Sequence, residues 1–329
     1  MTPLYGHEGA VAAFRAGLDS GRLHHAWLLA GPKGIGKALF ADKAALRVLA
    51  GASGAGVETP GLDVPDDHPA ARLIAAGSHP DHVRLERLAK ESGTELARSI
   101  NVDQVRGLQR LFTTTASMSP WRTVVIDAID DLEPGGANAL LKNLEEPPPS
   151  TAFLLVTHAP ERLLPTIRSR CRLLRFSPLA ADAMTSALGA ALPDADEHEI
   201  AALARVGEGA PGRAIAWRGL DVDSLDKAMD ALVGEGDPTN ARRAALAQSL
   251  ALKSAQPRYE AFLARAPSRI AAEARKRRGP ALAEALKLWE RASELAGGAQ
   301  RLSLDAQSTA FELAGMLASL APRADRDAA

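Results

Sequence analysis

The chain has 329 residues, which is long for one ordinary domain, so two or three domains are expected. Its 39 lysines and arginines nearly balance 40 aspartates and glutamates, which argues against a protein that coats nucleic acid by bulk charge. The single cysteine, Cys171, excludes a disulfide framework and a cysteine-rich zinc site. The start lacks the pattern of a secretion signal, and no run reaches the roughly 18 apolar residues of a membrane span. We therefore expect a cytoplasmic protein without membrane contact.

Helices and strands alternate over the first half of the sequence. A helix is predicted over 8–20, a buried strand over 27–30 and an Ala-rich helix from Lys37 to about Ala50, before a Gly- and Pro-rich loop over 51–69. Further strands are predicted over 82–85, 123–127, 152–157 and 173–176, with amphipathic helices around 102–112 and 137–144. This alternation predicts a mainly parallel sheet covered by helices on both faces.

Strand signals end after Pro178. A small helical unit follows, and the remaining chain is predicted to be helical, with breaks near Gly234–Pro238, Ala266–Pro267 and Gly279–Pro280. We therefore predict an α/β domain over 1–178, a small helical domain over 179–220 and an all-α domain over 221–325.

Gly31-Pro32-Lys33-Gly34-Ile35-Gly36-Lys37 fits the G-x-x-x-x-G-K part of a P-loop. Gly31, Gly34 and Gly36 would let backbone amides curl around phosphate oxygens, and Lys37 would supply a positive charge. The motif lies between a predicted strand and a predicted helix, as a P-loop requires. It predicts a site for the phosphates of ATP or ADP; the alternative is a strand-to-helix turn without a ligand.

Two positions that hydrolysis needs are alanines. A Ser or Thr hydroxyl normally follows the P-loop lysine and binds Mg²⁺, but here Ala38 follows it. Asp127 ends an apolar strand, where its carboxylate can reach the metal. Active AAA+ ATPases usually carry a glutamate next, but here Ala128 follows. The two losses predict weak nucleotide binding at most and very little turnover, unless Asp130, Asp131 or a partner supplies the base.

The stretch from Asn138 to Arg175 carries the most specific motifs. It contains Leu-Leu-Lys-Asn-Leu-Glu-Glu-Pro-Pro over 140–148 and the triplet Ser169-Arg170-Cys171, while Leu-His-His-Ala-Trp over 23–27 and His-Pro-Asp over 79–81 lie before it. In these motifs the chain resembles the clamp-loader family of AAA+ proteins, over about residues 4–178. The resemblance implies an AAA+ core, a helical lid and a helical collar that joins the subunits.

Arg170 is the arginine of the family's Ser-Arg-Cys triplet, and the resemblance implies that it is an arginine finger. Such a finger reaches into the ATP site of a neighbouring subunit, where its rigid, permanently charged fork contacts the transferring phosphoryl group. The alternative is a surface ion pair with Glu145 or Glu146. The family's triplet cysteine, Cys171, is predicted to be a small packing residue without catalytic or redox use.

Two further positions match nucleotide sensors of AAA+ proteins. Thr157 ends its strand where a polar residue senses the γ-phosphate, or it is a strand-end threonine without that role. Arg213 lies where the lid carries its second sensor arginine, or it is a surface charge of the lid. Relatives often carry a four-cysteine zinc module after the P-loop helix; residues 51–80 contain no cysteine, so no zinc is expected.

The resemblance implies a hetero-pentamer with subunits of the delta and gamma/tau types. That assembly opens the sliding clamp and loads it onto primed DNA for DNA polymerase III. The alternatives are an active ATPase motor subunit of the gamma/tau type and a binding protein outside replication that uses a relic P-loop fold. The basic run over 275–278 predicts either a solvated helix end or a contact with DNA phosphates.

Overall fold

The computed structural model describes residues 2–52, 57, 59–90 and 96–322. The chain divides into two compact units, residues 1–216 and 217–329. The three-domain division predicted from the sequence, with boundaries at 178 and 220, stays a prediction. No helix within the described residues is long and apolar enough to cross a membrane.

A parallel sheet forms the centre of the first unit, as the alternation of elements predicts. Its strands are β1 (Ala26–Ala30), β2 (His82–Glu86), β3 (Arg122–Asp127), β4 (Thr151–Thr157) and β5 (Arg172–Arg175). They lie in the order β2-β3-β4-β1-β5, and every neighbouring pair is parallel. Because the strands are parallel, their carboxyl ends share one edge, which is where ligands bind in such sheets.

Helices cover both faces of the sheet. They are α1 (Glu8–Asp19), α2 (Lys37–Ala52), α3 (Pro69–Ala75), α4 (Val102–Thr113), α5 (Pro134–Glu145) and α6 (Pro165–Arg168). Along β4, Leu154 and Val156 join the apolar cluster of α1 and α2, whereas Phe153 and Leu155 join that of α4 and α5. This alternation follows from the two-residue period of a strand, and it explains why both sides of the sheet are apolar.

Three more helices complete the first unit: α7 (Ala181–Ala191), α8 (Glu197–Gly207) and α9 (Pro211–Ala216). Met184, Leu188 and Leu203 form their small apolar core. Gly207 permits the close packing, because a Cβ there would lie 2.5 Å from Met184 Cε and 2.8 Å from Ala214 Cβ.

The second unit is helical throughout its described part. Its helices are α10 (Val222–Glu235), α11 (Ala241–Leu250), α12 (Gln256–Ala274), α13 (Gly279–Arg301) and α14 (Ala306–Ala318). Breaks occur near Gly234–Pro238 and before Gly279, as predicted. The predicted break at Ala266–Pro267 is wrong, because α12 continues through Pro267.

Contacts on both sides of Pro267 explain why α12 continues. Ala266 and Ile270 are fully buried. Arg265 donates to Asp226 at 2.7 and 2.5 Å, and Arg269 donates to Asp230 at 2.7 Å, so two ion pairs bind α12 to α10. A proline inside a helix costs about 3 kcal/mol, and packing along the whole helix offsets that cost here.

Candidate nucleotide site and arginine loop

The P-loop joins β1 to α2, at the carboxyl edge of the sheet. Its backbone needs glycine at Gly34, where φ is +83° and an added Cβ would lie 2.7 Å from the backbone nitrogen of Arg213. Gly36 also has a positive φ, +100°. The loop therefore has the conformation that lets backbone amides surround an anion.

Lys37 is almost completely buried at the start of α2, with 2% of its surface exposed. Its Nζ donates to the carbonyl oxygens of Gly31 and Pro32, both at 2.6 Å, so the ammonium lies within the loop. Burial lowers the pKa of Lys37 to about 8, while Asp130 and Asp127 oppose that shift. The residues present thus fit a phosphate group: a glycine-shaped loop surrounds a buried cation whose charge an anion would stabilise.

His7 supports the P-loop from outside, which sequence reasoning did not foresee. Burial lowers the pKa of His7, and its ring donates from Nε2 to the carbonyl of Ile35 at 2.7 Å. The ring also lies 4.8 Å from the ring of Phe176, measured between centroids. These contacts fix the loop between Gly34 and Gly36, and no motif in the sequence signals them.

Asp127 ends β3 as predicted, but its carboxylate already has a cationic partner. Arg84 on β2 donates from Nη2 to Asp127 Oδ2 at 2.7 Å. The same guanidinium contacts Asp42 at 2.5 Å and Glu86 at 2.9 Å. The next residue, Ala128, is 3% exposed and packs into the apolar cluster beneath α2.

The two aspartates that could replace the missing base are also engaged. Asp130 accepts hydrogen bonds from Thr157 Oγ1 at 2.9 Å and from the backbone nitrogens of His158 and Ala159 at 2.8 and 3.2 Å. Asp131 pairs with Arg87 at 3.2 Å. The structure thus joins Thr157, at the end of β4, to Asp130; its role as a sensor stays a prediction.

Arg213 lies beside the P-loop through its backbone. The nitrogen of Gly212 donates to the carbonyl of Gly34 at 2.8 Å, at the beginning of α9. The Arg213 side chain, 21% exposed, forms an ion pair with Glu208 at 3.2 Å. The structure therefore brings Arg213 together with Gly34, whereas its role as a sensor stays a prediction.

Arg170 lies on the loop between α6 and β5, at the other edge of the sheet. In the parallel register Arg172 pairs with Trp27, which is four residues before Gly31, or about 13 Å at the rise of a strand. Arg170 therefore precedes β5 at the amino edge, while the chain's own P-loop follows β1 at the carboxyl edge.

The contacts of Arg170 include the surface ion pair considered as the alternative. Its Nη2 lies 2.8 Å from Glu145 Oε1, and its Nη1 donates to the carbonyl of Thr166 at 2.9 Å. About a third of the side chain remains exposed. Cys171, next to it, packs against the core of α4 and α5, and burial raises the pKa of its thiol to about 12, which suits a packing role.

Residues 6–180, more than half of the chain, match the sequence model of the family described as DNA polymerase III, delta subunit. The chain belongs to this family. The resemblance found in the motifs is thereby confirmed. The chain is 39% identical to DNA polymerase III subunit delta' of Pseudomonas aeruginosa, across 57% of this chain and 53% of the relative. It is 38% identical to subunit delta' of Escherichia coli, across 44% and 41%. The matches thus span about half the length of these curated relatives.

Among solved structures, this delta-family chain is similar to a DNA polymerase III gamma subunit-related protein from Thermotoga maritima. The TM-score is 0.41 at 13% identity, and the alignment covers 94% of this chain and 98% of the other.

Asp81, in the His-Pro-Asp motif of this delta-family chain, has a structural role. Its buried carboxylate accepts hydrogen bonds from the backbone nitrogens of Ser117, Met118 and Ser119 at 3.0, 2.9 and 3.1 Å. These bonds order the turn that leads into β3. The motif is therefore part of what positions Asp127 at the carboxyl edge.

Basic side chains hold the described part of residues 51–80, the region for which the lack of cysteine predicts no zinc; residues 53–56 and 58 lie outside the described part. Arg47, 5% exposed, donates to Val57 O at 2.7 Å and to Thr59 Oγ1 at 3.0 Å. It also donates to Asp63 O at 3.1 Å, while Lys43 pairs with the Asp63 carboxylate at 2.6 Å. The expectation that no zinc binds stays a prediction.

Proposed function

We propose that this chain is a cytoplasmic clamp-loader subunit that helps to load a sliding clamp onto primed DNA for DNA polymerase III. In this proposal it hydrolyses little or no ATP itself and supplies Arg170 to the ATP site of a neighbouring gamma/tau-type subunit. Its partners are the delta and gamma/tau subunits of a hetero-pentamer. Membership of the delta subunit family supports the proposal, as do the relatives named subunit delta'.

The position of Arg170 is the observation that carries the proposal. An arginine at the amino edge of the sheet is remote from a P-loop at the carboxyl edge, so it can serve an ATP site only in another subunit. About a third of its side chain is exposed and its ion pair with Glu145 lies at the surface, so the guanidinium can exchange this carboxylate for a phosphate. Arginine suits this exchange because its planar fork binds both carboxylates and phosphates.

The engaged carboxylates support the absence of turnover. Hydrolysis needs a metal ligand and a group that orients water, and Ala38 and Ala128 supply neither. Asp130 is held by three hydrogen bonds and Asp131 by Arg87, so neither is poised to accept a proton from water. These contacts count against the alternative of an active motor subunit.

A nucleotide remains part of the proposal as a bound group. Gly31, Gly34, Gly36 and Lys37 would hold the phosphates of ADP or ATP, with Arg213 beside them. The phosphates of a bound nucleotide would stabilise the charged form of Lys37, whose pKa is lowered by burial. They would also stabilise the contact between the P-loop and α9.

Direct DNA contact by this chain is not part of the proposal. In the basic run at the end of α12, Lys276 pairs with Glu273 at 2.8 Å and Arg277 donates to the carbonyl of Leu320. These contacts favour a helix end that interacts within its own unit.

The test is ATP turnover by the reconstituted loader in the presence of clamp and primed DNA. Loss of an arginine finger lowers turnover at one site by about 10³-fold or more. Arg170→Ala should therefore lower the loader's total ATP turnover by the contribution of the one site that Arg170 serves. Arg170→Lys should fail to restore it, because lysine lacks the fork. Arg168→Ala, which removes an exposed arginine from the end of α6, two residues before Arg170, is the matched control. Unchanged turnover with Arg170→Ala would overturn the proposal.

A further inference from the structure

Arg84 gathers three carboxylates at the carboxyl edge of the sheet. Each comes from a different element: Asp42 from α2, Glu86 from β2 and Asp127 from β3. All three guanidinium nitrogens are engaged, with Nη1 at 2.5 Å from Asp42, Nε at 2.9 Å from Glu86 and Nη2 at 2.7 Å from Asp127. The register of β2 and β3 makes this possible. Glu86 is the register partner of Asp127, and Arg84, two residues before Glu86, lies on the same face of β2.

In a hydrolysing P-loop protein, the aspartate of this strand faces Mg²⁺ rather than an arginine. The metal is held by that aspartate and by the hydroxyl after the P-loop lysine, and it neutralises the phosphates. Here the hydroxyl is replaced by the methyl group of Ala38, and Asp127 Oδ2 accepts from Arg84. A divalent cation on Asp127 would have to displace the guanidinium or lie against it, and like charges in contact repel.

We infer that the Arg84 guanidinium is a built-in replacement for the divalent cation of this P-loop, so that the site takes a nucleoside di- or triphosphate free of metal. The inference rests on the nucleotide site of the proposed function. Arginine suits the role because it stays charged at every physiological pH and offers donors in three directions. The Arg84 guanidinium also joins α2, which begins with Lys37, to β3, which ends with Asp127. Its positive charge is therefore fixed to the helix after the P-loop and to the strand that carries the aspartate.

The decisive experiment titrates the full chain with Mn²⁺ alone and follows the free ion by electron paramagnetic resonance. The unaltered chain and Asp127→Asn should give the same titration, because Asp127 is not available to the metal. Arg84→Ala leaves three carboxylates without their cation, and oxygen ligands of this kind bind Mn²⁺. This variant should gain a manganese site, which Arg84→Ala/Asp127→Asn should lose again.

Arg84→Lys is the matched control, because it keeps a positive charge at the same position and should gain no manganese site. Two results would overturn the inference: manganese binding by the unaltered chain that Asp127→Asn abolishes, or no gain in a folded Arg84→Ala. If Arg84→Ala does not fold, the comparison of the unaltered chain with Asp127→Asn still decides the question.

A second titration separates this inference from the proposed function. ADP should bind the unaltered chain with the same affinity in Mg²⁺ and in EDTA, whereas a preference of about tenfold or more for Mg²⁺-ADP would contradict a built-in cation. Absence of ADP binding in both conditions would overturn the nucleotide site proposed above. The manganese titration decides the role of Arg84 in either case.

Discussion

Arg170 and Glu145 form an ion pair of 2.8 Å between the loop before β5 and the last residue of α5. The Arg170 side chain is 34% exposed and that of Glu145 is 47% exposed. Exposed ion pairs of this kind contribute about 0–1 kcal/mol to the free energy of unfolding. The pair therefore holds the arginine only weakly, and a stronger anion can replace Glu145 at little cost.

Glu145→Gln should accordingly leave the free energy of unfolding within about 0.5 kcal/mol of its original value. It should not lower ATP turnover of the reconstituted loader, because the arginine itself remains. Urea unfolding and the turnover assay measure the two quantities. A loss of turnover as large as that of Arg170→Ala would mean that Glu145 is needed to orient the finger.

The isolated chain should hydrolyse ATP no faster than its Lys37→Ala variant. The reason is that Ala38 and Ala128 provide neither the hydroxyl nor the carboxylate that hydrolysis needs. Steady-state phosphate release from the purified chain measures this. Turnover that depends on Lys37 would instead favour the motor-subunit alternative.

Restoring the glutamate after Asp127 should damage the fold without restoring activity. Ala128 is 3% exposed in an apolar cluster, so Ala128→Glu buries a polar group and should lower the free energy of unfolding by about 1–3 kcal/mol. Ala38→Ser, at a half-buried position, is the control and should change it by about 0.5 kcal/mol or less. The double variant Ala38→Ser/Ala128→Glu should still hydrolyse no ATP, because Arg84 still binds the Asp127 carboxylate. Clear turnover by the double variant would show that Asp127 is free to bind metal.

Nucleotide affinity should fall as the pH rises through about 8, where the free chain's Lys37 loses its proton. A bound pyrophosphate raises the pKa of Lys37, so binding takes up a proton in this range; affinity is full below pH 8 and is lost above it. Calorimetry with ADP between pH 7 and 9.5, in buffers of different ionisation enthalpy, measures both effects. Lys37→Arg does not titrate here and should give a flat profile. A steep profile in that variant would assign the effect to another group.

Arg47→Met should destabilise the segment around Val57–Asp63. The substitution keeps the apolar stem but removes the donors to the carbonyl oxygens of Val57, Thr59 and Asp63, and hydrogen bonding by a charged group contributes about 1.5–3 kcal/mol. Urea unfolding should show a loss of about 2–3 kcal/mol, and amide hydrogen exchange should rise locally. Arg106→Ala, which removes an arginine 68% exposed, is the control. Equal effects of the two variants would contradict a structural role for Arg47.

The elements of the first unit could be predicted because their local signals agree with their surroundings. The strands β1, β3 and β4 are short, largely apolar runs that end at a polar or glycine residue, as Ala30 before Gly31 and Ile126 before Asp127 illustrate. Pro267 does not end α12, although the sequence predicted a break there, because the ion pairs that help to offset its cost come from α10, which lies more than 30 residues earlier in the sequence.

The site was predictable only in part. The P-loop, the aspartate at the end of an apolar strand and the Ser-Arg-Cys triplet are local patterns, so the sequence alone indicates their chemistry. The partner of Asp127 is different, because the contact with Arg84 depends on which strand pairs with β3 and in which register. A single sequence does not carry that information, and the same holds for His7 beneath Ile35.

Gly34 and Gly212 meet through their backbones alone. An added Cβ on Gly212 would lie 3.1 Å from the Gly34 Cα, and one on Gly34 would lie 2.7 Å from the Arg213 nitrogen. With no side chain between them to absorb a displacement, a shift of the phosphate loop by a fraction of an ångström must carry the first turn of α9 with it. The helical part of the first unit is thus coupled directly to the P-loop through the backbone, so its position can depend on whether the loop holds a phosphate, and this coupling needs no hydrolysis.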